Sequence, residues 1–143
     1  MRKRLLLPAG LIIALLVPTI AYGATVGFHG TFPTDPDSTI AFHVKRVNGK
    51  NKKVLDLSVD QFNVNCSSTG PEEIQTGNPI TINAAVRHRR WHFNDGITNF
   101  QGKFARHNRN KATGTLEVTL NNFFIDGQTQ DCHGGPRGWK AHH

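Results

Sequence analysis

The chain is poor in the groups that most often carry catalysis. It has two cysteines, and Ser38, Ser58, Ser67 and Ser68 are its only serines. None of those serines lies in a G-x-S-x-G elbow, so the sequence offers no nucleophile of that type. No glycine-rich loop of the phosphate-cradling kind occurs, and no E-x-D-x-E pattern. Asp35-Pro36-Asp37-Ser38 presents oxygens but too few for a calcium loop, and it reads as a turn. No sustained 3.6-residue periodicity is found, which removes helical architectures. Nothing in the sequence requires a cofactor or a metal.

What is present begins with a leader. Arg2, Lys3 and Arg4 form a short basic region, and residues 5–20 are almost unbroken apolar sequence apart from Pro8 and Pro18. Ala21-Tyr22-Gly23 then places small residues at the −3 and −1 positions of a cleavage site. This three-part order is that of a secretory signal peptide covering residues 1–23, cut between Gly23 and Ala24. The prolines and the cleavage site argue against a retained membrane anchor. The leader lacks the consecutive arginine pair of a twin-arginine signal, so general secretion is expected. Its destination is outside the cell, in the periplasm or in the cell envelope.

Residues 24–143 have the length of one domain. The whole chain carries 17 Lys and Arg against 10 Asp and Glu, a formal charge of +7. Three of those positive charges leave with the leader, so the exported part is only mildly basic. In an exported protein, Cys66 and Cys132 have a single possible pairing and are expected to form a disulfide. Closing so long a loop contributes roughly 4 kcal/mol on chain-entropy grounds. An oxidised Cys132 is neither a nucleophile nor a zinc ligand, despite the neighbouring His133.

Alternation of period two dominates the domain. Ile40, Phe42 and Val44 share one face; Leu55, Leu57 and Val59 share another, and Phe62 and Val64 continue it after a phase slip that predicts a bulge at Asp60-Gln61. Asn48-Gly49 marks a hairpin turn between these runs. Ile80, Ile82, Ala84 and Val86 alternate next, then Phe100, Gly102 and Phe104, then Leu116, Val118 and Leu120. Asn94-Asp95-Gly96 and Asp126-Gly127 mark further turns. Residues 66–79 read as an irregular surface loop. The pattern predicts a single-domain antiparallel β-sandwich of seven to nine short strands, with a small closed β-barrel as the alternative. Gly134-Gly135-Pro136 is expected to turn the chain into a last strand, with Trp139 inward and Lys140 outward.

Several of these features together resemble small exported bacterial β-domains of uncharacterised function. They are the leader, the opening Phe28-His29-Gly30, Cys66, Phe100-Gln101-Gly102-Lys103-Phe104 and Ala112-Thr113-Gly114-Thr115-Leu116. Cys132 followed by Gly135 and Trp139-Lys140-Ala141 completes the set. The resemblance spans nearly the whole domain and implies fold, export and a disulfide. It supplies no catalytic residues.

Three constellations remain. The histidines are His29, His43, His88, His92, His107, His133, His142 and His143. The four-residue spacing of His88 and His92 suits zinc on a helix but spans about 13 Å on a strand, so it makes no metal site there. His142 and His143, with His133, offer at most weak capture of a transition metal. Asp56, Asp60 and Glu117 are the best carboxylates for a small secreted glycosidase-like hydrolase, the alternative function; a retaining pair requires carboxyls about 5 to 5.5 Å apart.

The densest basic stretch is AVRHRRWHFNDG. If extended, it puts Arg87, Arg89 and Trp91 on one face and His88, Arg90 and His92 on the other. Arginine forks suit sulfate, phosphate and carboxylate, and a neighbouring indole stacks on a sugar ring. Lys50, Lys52 and Lys53, with Lys45 and Arg46, make a second basic patch. The reading is a non-enzymatic exported β-domain that binds an anionic cell-wall polymer, an anionic glycan or a secreted protein. Nucleic acid is not an expected partner outside the cell. Salt-sensitive binding that strengthens toward pH 5.5, as imidazoles gain protons, is the corresponding expectation.

Overall fold

The structure is a computed structural model that describes residues 23–143. The leader falls outside the described residues except for Gly23, which opens the first strand. Ten strands, more than the seven to nine expected, form one antiparallel sheet. They are β1 (Gly23–Phe32), β2 (Asp35–Val47), β3 (Lys50–Asp60), β4 (Phe62–Cys66), β5 (Gly70–Ile74), β6 (Ile80–Ala85), β7 (Arg90–Asn94), β8 (Thr98–Phe104), β9 (Lys111–Ile125) and β10 (Gln128–His142). The hydrogen-bonded order is β6-β3-β2-β1-β10-β9-β8-β7. The all-β antiparallel class expected from the alternation is what forms, and the sheet bends into a nearly closed barrel. Its two end strands, β6 and β7, share no ladder beyond the turn that joins them.

The alternating apolar residues fill the barrel. Ile40, Phe42 and Val44 of β2, Phe100 and Phe104 of β8, and Leu116 and Val118 of β9 are all buried. Aromatic rings dominate the centre: Trp139 lies 5.5 Å from Phe42, 5.4 Å from Phe100 and 5.8 Å from Trp91 between ring centroids. Two indoles fit because the strands above them lack side chains. A Cβ on Gly114 would collide with the Gln101 carbonyl and the Trp139 ring, and one on Gly102 would meet both indoles. Trp139 faces inward and Lys140 outward, as the alternation predicts.

The structure departs from expectation in five places. Asp35-Pro36-Asp37-Ser38 is not a turn but the start of β2, the turn falling on Pro33-Thr34. A one-residue irregularity in β3 lets Val54, rather than Leu55, join Leu57 and Val59 in the core. The expected bulge at Asp60-Gln61 is instead a break between strands, where Gln61 adopts φ +53° and the chain leaves β3 for β4. Residues 66–79 are not wholly irregular, because β5 folds back on β4 with Cys66 opposite Gly70. Gly134-Gly135-Pro136 makes no turn. β10 runs through it with a local bulge between Gly134 and Arg137. Gly135 sits there at φ +95°, where a Cβ would also strike the Leu116 carbonyl.

β10 is the spine of the molecule. One edge pairs with β9 along its length, and the other is divided between β1 near the C-terminus and β4 near the start. At that second junction Cys132 stands opposite Cys66, and the two form a disulfide with Cα atoms 4.0 Å apart. The junction also holds a polar clasp. Asp35 Oδ2 accepts from Asn63 Nδ2 at 2.6 Å and from Arg137 Nη1 at 2.8 Å.

Candidate anion-binding site

The run Arg87-His88-Arg89-Arg90 is a tight turn, not an extended segment. Arg87 and Arg90 exchange backbone hydrogen bonds of 2.9 and 2.8 Å, while His88 and Arg89 between them adopt φ +49° and +69°. Two successive left-handed residues define the turn that best matches strand twist, although side-chain-bearing residues pay sterically for that conformation. Arg89 offsets the cost by gripping β8. Its carbonyl accepts from Phe104 N at 2.9 Å, and its Nη1 donates to Phe104 O at 3.1 Å.

The turn overturns the expected sharing of faces. Arg87, Arg89 and Trp91 do not line up, because the two turn residues break the alternation between Arg87 and Arg90. Trp91 enters the core at 4% exposure, its ring 4.7 Å from Phe104. It supports the site from below rather than presenting a free face for stacking. Arg89 is likewise a structural residue. Arg87 and Arg90 stay exposed.

The register then adds cations that lie far away in sequence. Arg90 stands opposite Lys103, Lys103 opposite Thr113, and Thr113 opposite Lys140 across β7, β8, β9 and β10. A groove of about 640 Å³ lies here, lined by Arg87, Arg90, His92 and Lys103 together with Gln101, Thr113 and Thr115. A second hollow of about 330 Å³ adjoins it, lined by His88, Arg89, Arg106 and Lys111 and sharing Arg90 and Lys103. No carboxylate lines either one. Lys103, Arg106 and Lys111 escaped the sequence reading because only cross-strand pairing brings them to the turn.

The lysine patch belongs to the same end of the barrel. Asn48 and Gly49 form the turn between β2 and β3, with φ +49° and +69°, as their sequence predicts. Lys53 is paired with Ala85, and Val86 N donates to Lys52 O at 2.8 Å, so this hairpin lies directly beside the arginine turn. Lys50 and Lys52 are exposed; Lys53 reaches Asn83 Oδ1 at 3.2 Å. Residues 105–110 close over the hairpin, with Arg109 Nη1 donating to Gly49 O at 2.7 Å and Arg46 Nη2 to Arg109 O at 3.2 Å. Partial burial, and then the charge of Arg109, lower the affinity of Arg46 for its proton.

The other end of the barrel is acidic. Asp37, Asp60, Glu72, Glu73, Asp95, Asp126 and Asp131 lie in or beside the elements that meet there, and its one arginine, Arg137, is paired with Asp35. Asp56 and Glu117 lie between the ends. Asp56 accepts from the His43 backbone and lies 2.9 Å from His43 Nδ1, while Glu117 lies 3.6 Å from His133 Nε2. Asp56 and Asp60 are on β3 and Glu117 is on β9, with β2, β1 and β10 between those strands. The three carboxylates do not converge on a shared cleft.

No protein-family model matches this chain, and neither does any curated protein or solved structure. His29 stands opposite His142, and the His29 and His43 rings both reach the space beside Gly27, but His133 and His142 lie toward opposite ends of β10, on the order of 30 Å apart at strand rise. They cannot hold one ion with His143, whose Nδ1 lies 2.9 Å from Gly27 O. Among the described residues no three His, Cys, Asp or Glu side chains are grouped as metal ligands.

Proposed function

We propose that this is an exported, disulfide-stapled binding module that docks on anionic polymers, such as acidic glycans or cell-wall polymers, through its basic end. The observation that carries the reading is the carboxylate-free groove in which Arg87, Arg90 and Lys103 converge. Arginine forks there bind sulfate or carboxylate in a bidentate manner, and Thr113 and Thr115 supply hydroxyls to neutral positions of the ligand. The leader of residues 1–23 and the Cys66–Cys132 bridge support an oxidising, extracytoplasmic setting.

The test is binding of the disulfide-bonded protein to a sulfated and to a carboxylated polysaccharide across a salt series. Binding should be saturable and should weaken about tenfold or more between low and physiological ionic strength, as exposed charges are screened. Arg90→Ala with Lys103→Ala should weaken it by a similar factor at unchanged melting temperature. Affinity indifferent to salt and to that double substitution would refute the proposal.

A further inference from the structure

The acidic end carries an opening of the opposite character. Beyond the arginine turn β6 and β7 diverge without pairing, which leaves the barrel wall open between them on that side. A cavity of about 190 Å³ lies there, walled by Leu57, Val59, Ile80, Leu116, Val118 and Leu120. Ile97 and Phe123 stand at its mouth, 53% and 39% exposed, and the adjacent Phe124 is 68% exposed. These three are the exposed large apolar side chains of the described residues, and two of them, Ile97 and Phe123, line this one cavity. Exposed apolar groups clustered around a concave apolar wall mark a binding site rather than chance exposure.

A carboxylate is fixed beside that mouth. Asp95 Oδ1 accepts from Ile97 N at 2.9 Å and from Thr98 N at 2.6 Å, and both of those residues line the cavity. Its second oxygen accepts no hydrogen bond among the described residues. An apolar slot with an anchored negative charge at its rim matches one ligand chemistry. We infer that this cavity binds an amphiphilic cation, whose short alkyl chain or single ring enters the slot while its ammonium group meets Asp95. The size is suitable, since an apolar cavity of about 150 Å³ accommodates benzene. The inference does not depend on the anion site, which lies at the other end and selects the opposite charge.

The experiment uses methyl-detected NMR titration of the disulfide-bonded protein with hexyltrimethylammonium, hexanol and hexyl sulfate. The cation should shift the Ile97 and Leu120 methyls saturably, with affinity in about the millimolar range. Hexanol should bind the same methyls up to about fivefold more weakly, the scale of one exposed charge pair. Hexyl sulfate should bind there more weakly still, even if it also engages the basic end. Asp95→Asn keeps an oxygen for the Ile97 and Thr98 amides and should erase the preference for the cation over hexanol. Leu120→Trp should block all three ligands; if that variant fails to fold, Ile97→Asp at the exposed rim tests the apolar mouth. Unshifted pocket methyls, or a cation preference that survives Asp95→Asn, would overturn the inference. So would a dimer in sedimentation that buries Phe123 and Phe124, because a second copy would then be the occupant.

Discussion

Asp35 shows how much one side chain holds at the junction of β2, β4 and β10. Its Oδ2 lies 2.6 Å from the fully buried Ser38 Oγ, in addition to its bonds from Asn63 and Arg137. Ser38 Oγ lies equally close to Gln61 O, at the break between β3 and β4, so its single proton is shared between two acceptors. The Ser38 and Asn63 hydrogen bonds, reinforced by the Arg137 charge and opposed by partial burial, hold the Asp35 carboxyl below its ordinary value. A carboxylate depressed in the folded state contributes stability that is complete above the unfolded value near 3.9 and is lost as pH falls through the folded value. Urea midpoints should therefore drop below about pH 4. Asp35→Asn should flatten that part of the profile and cost about 1–3 kcal/mol at neutral pH. An acid profile identical in the variant would show that the clasp has no such role.

At the scale of strands, the alternating runs of β2, β6, β8 and β9 were legible because each has one buried face. What was not legible has physical reasons. The turn at His88-Arg89 contains neither glycine nor asparagine, and its left-handed conformation is sustained by the hydrogen bonds of Arg89 to Phe104, fifteen positions away. The β4–β5 pairing was hidden by its polar, half-exposed composition in Gly70–Ile74. Gly134-Gly135-Pro136 carries turn chemistry, yet pairing with β9 on either side keeps it in the sheet. The Cys66–Cys132 bridge was legible from a single pair of cysteines behind an export leader, and it ties short β4 to the spine at a point where only two residue pairs connect them. Reducing it, or replacing both cysteines with serine, should cost roughly 2–5 kcal/mol. A thiol assay on denatured protein should find no free cysteine before reduction. Anion affinity should persist while the variant remains folded, because the groove is built on β7, β8 and β9. Two free thiols, or stability indifferent to reductant, would contradict this.

Over the whole molecule, charge is sorted along the barrel, and no stretch of sequence displays that sorting. Antiparallel strands return the chain to each end in alternate connections, so basic residues near 50, 90 and 109 meet while acidic residues near 72, 95 and 126 meet opposite them. Gathering like charge costs stability through self-repulsion, which the proximity of Arg46 and Arg109 makes local. Under the proposed function a bound polyanion would relieve that repulsion and favour the folded groove, so the melting temperature should rise with ligand concentration. The two basic patches are adjacent but distinct, which gives them different ligand-length requirements. Under the proposed function, a short acidic oligosaccharide should fill only the groove at Arg87, Arg90 and Lys103. A longer chain should continue over Lys50 and Lys52 and gain from the second contact through effective concentration. Affinity should therefore increase with polymer length and then level off once both patches are spanned. Lys50→Ala with Lys52→Ala should remove the length dependence and leave short-oligosaccharide affinity unchanged within about twofold. Equal loss for short and long ligands would mean that the hairpin lysines belong to the groove itself. No loss for either would confine binding to the arginine turn and its partners on β8 and β9.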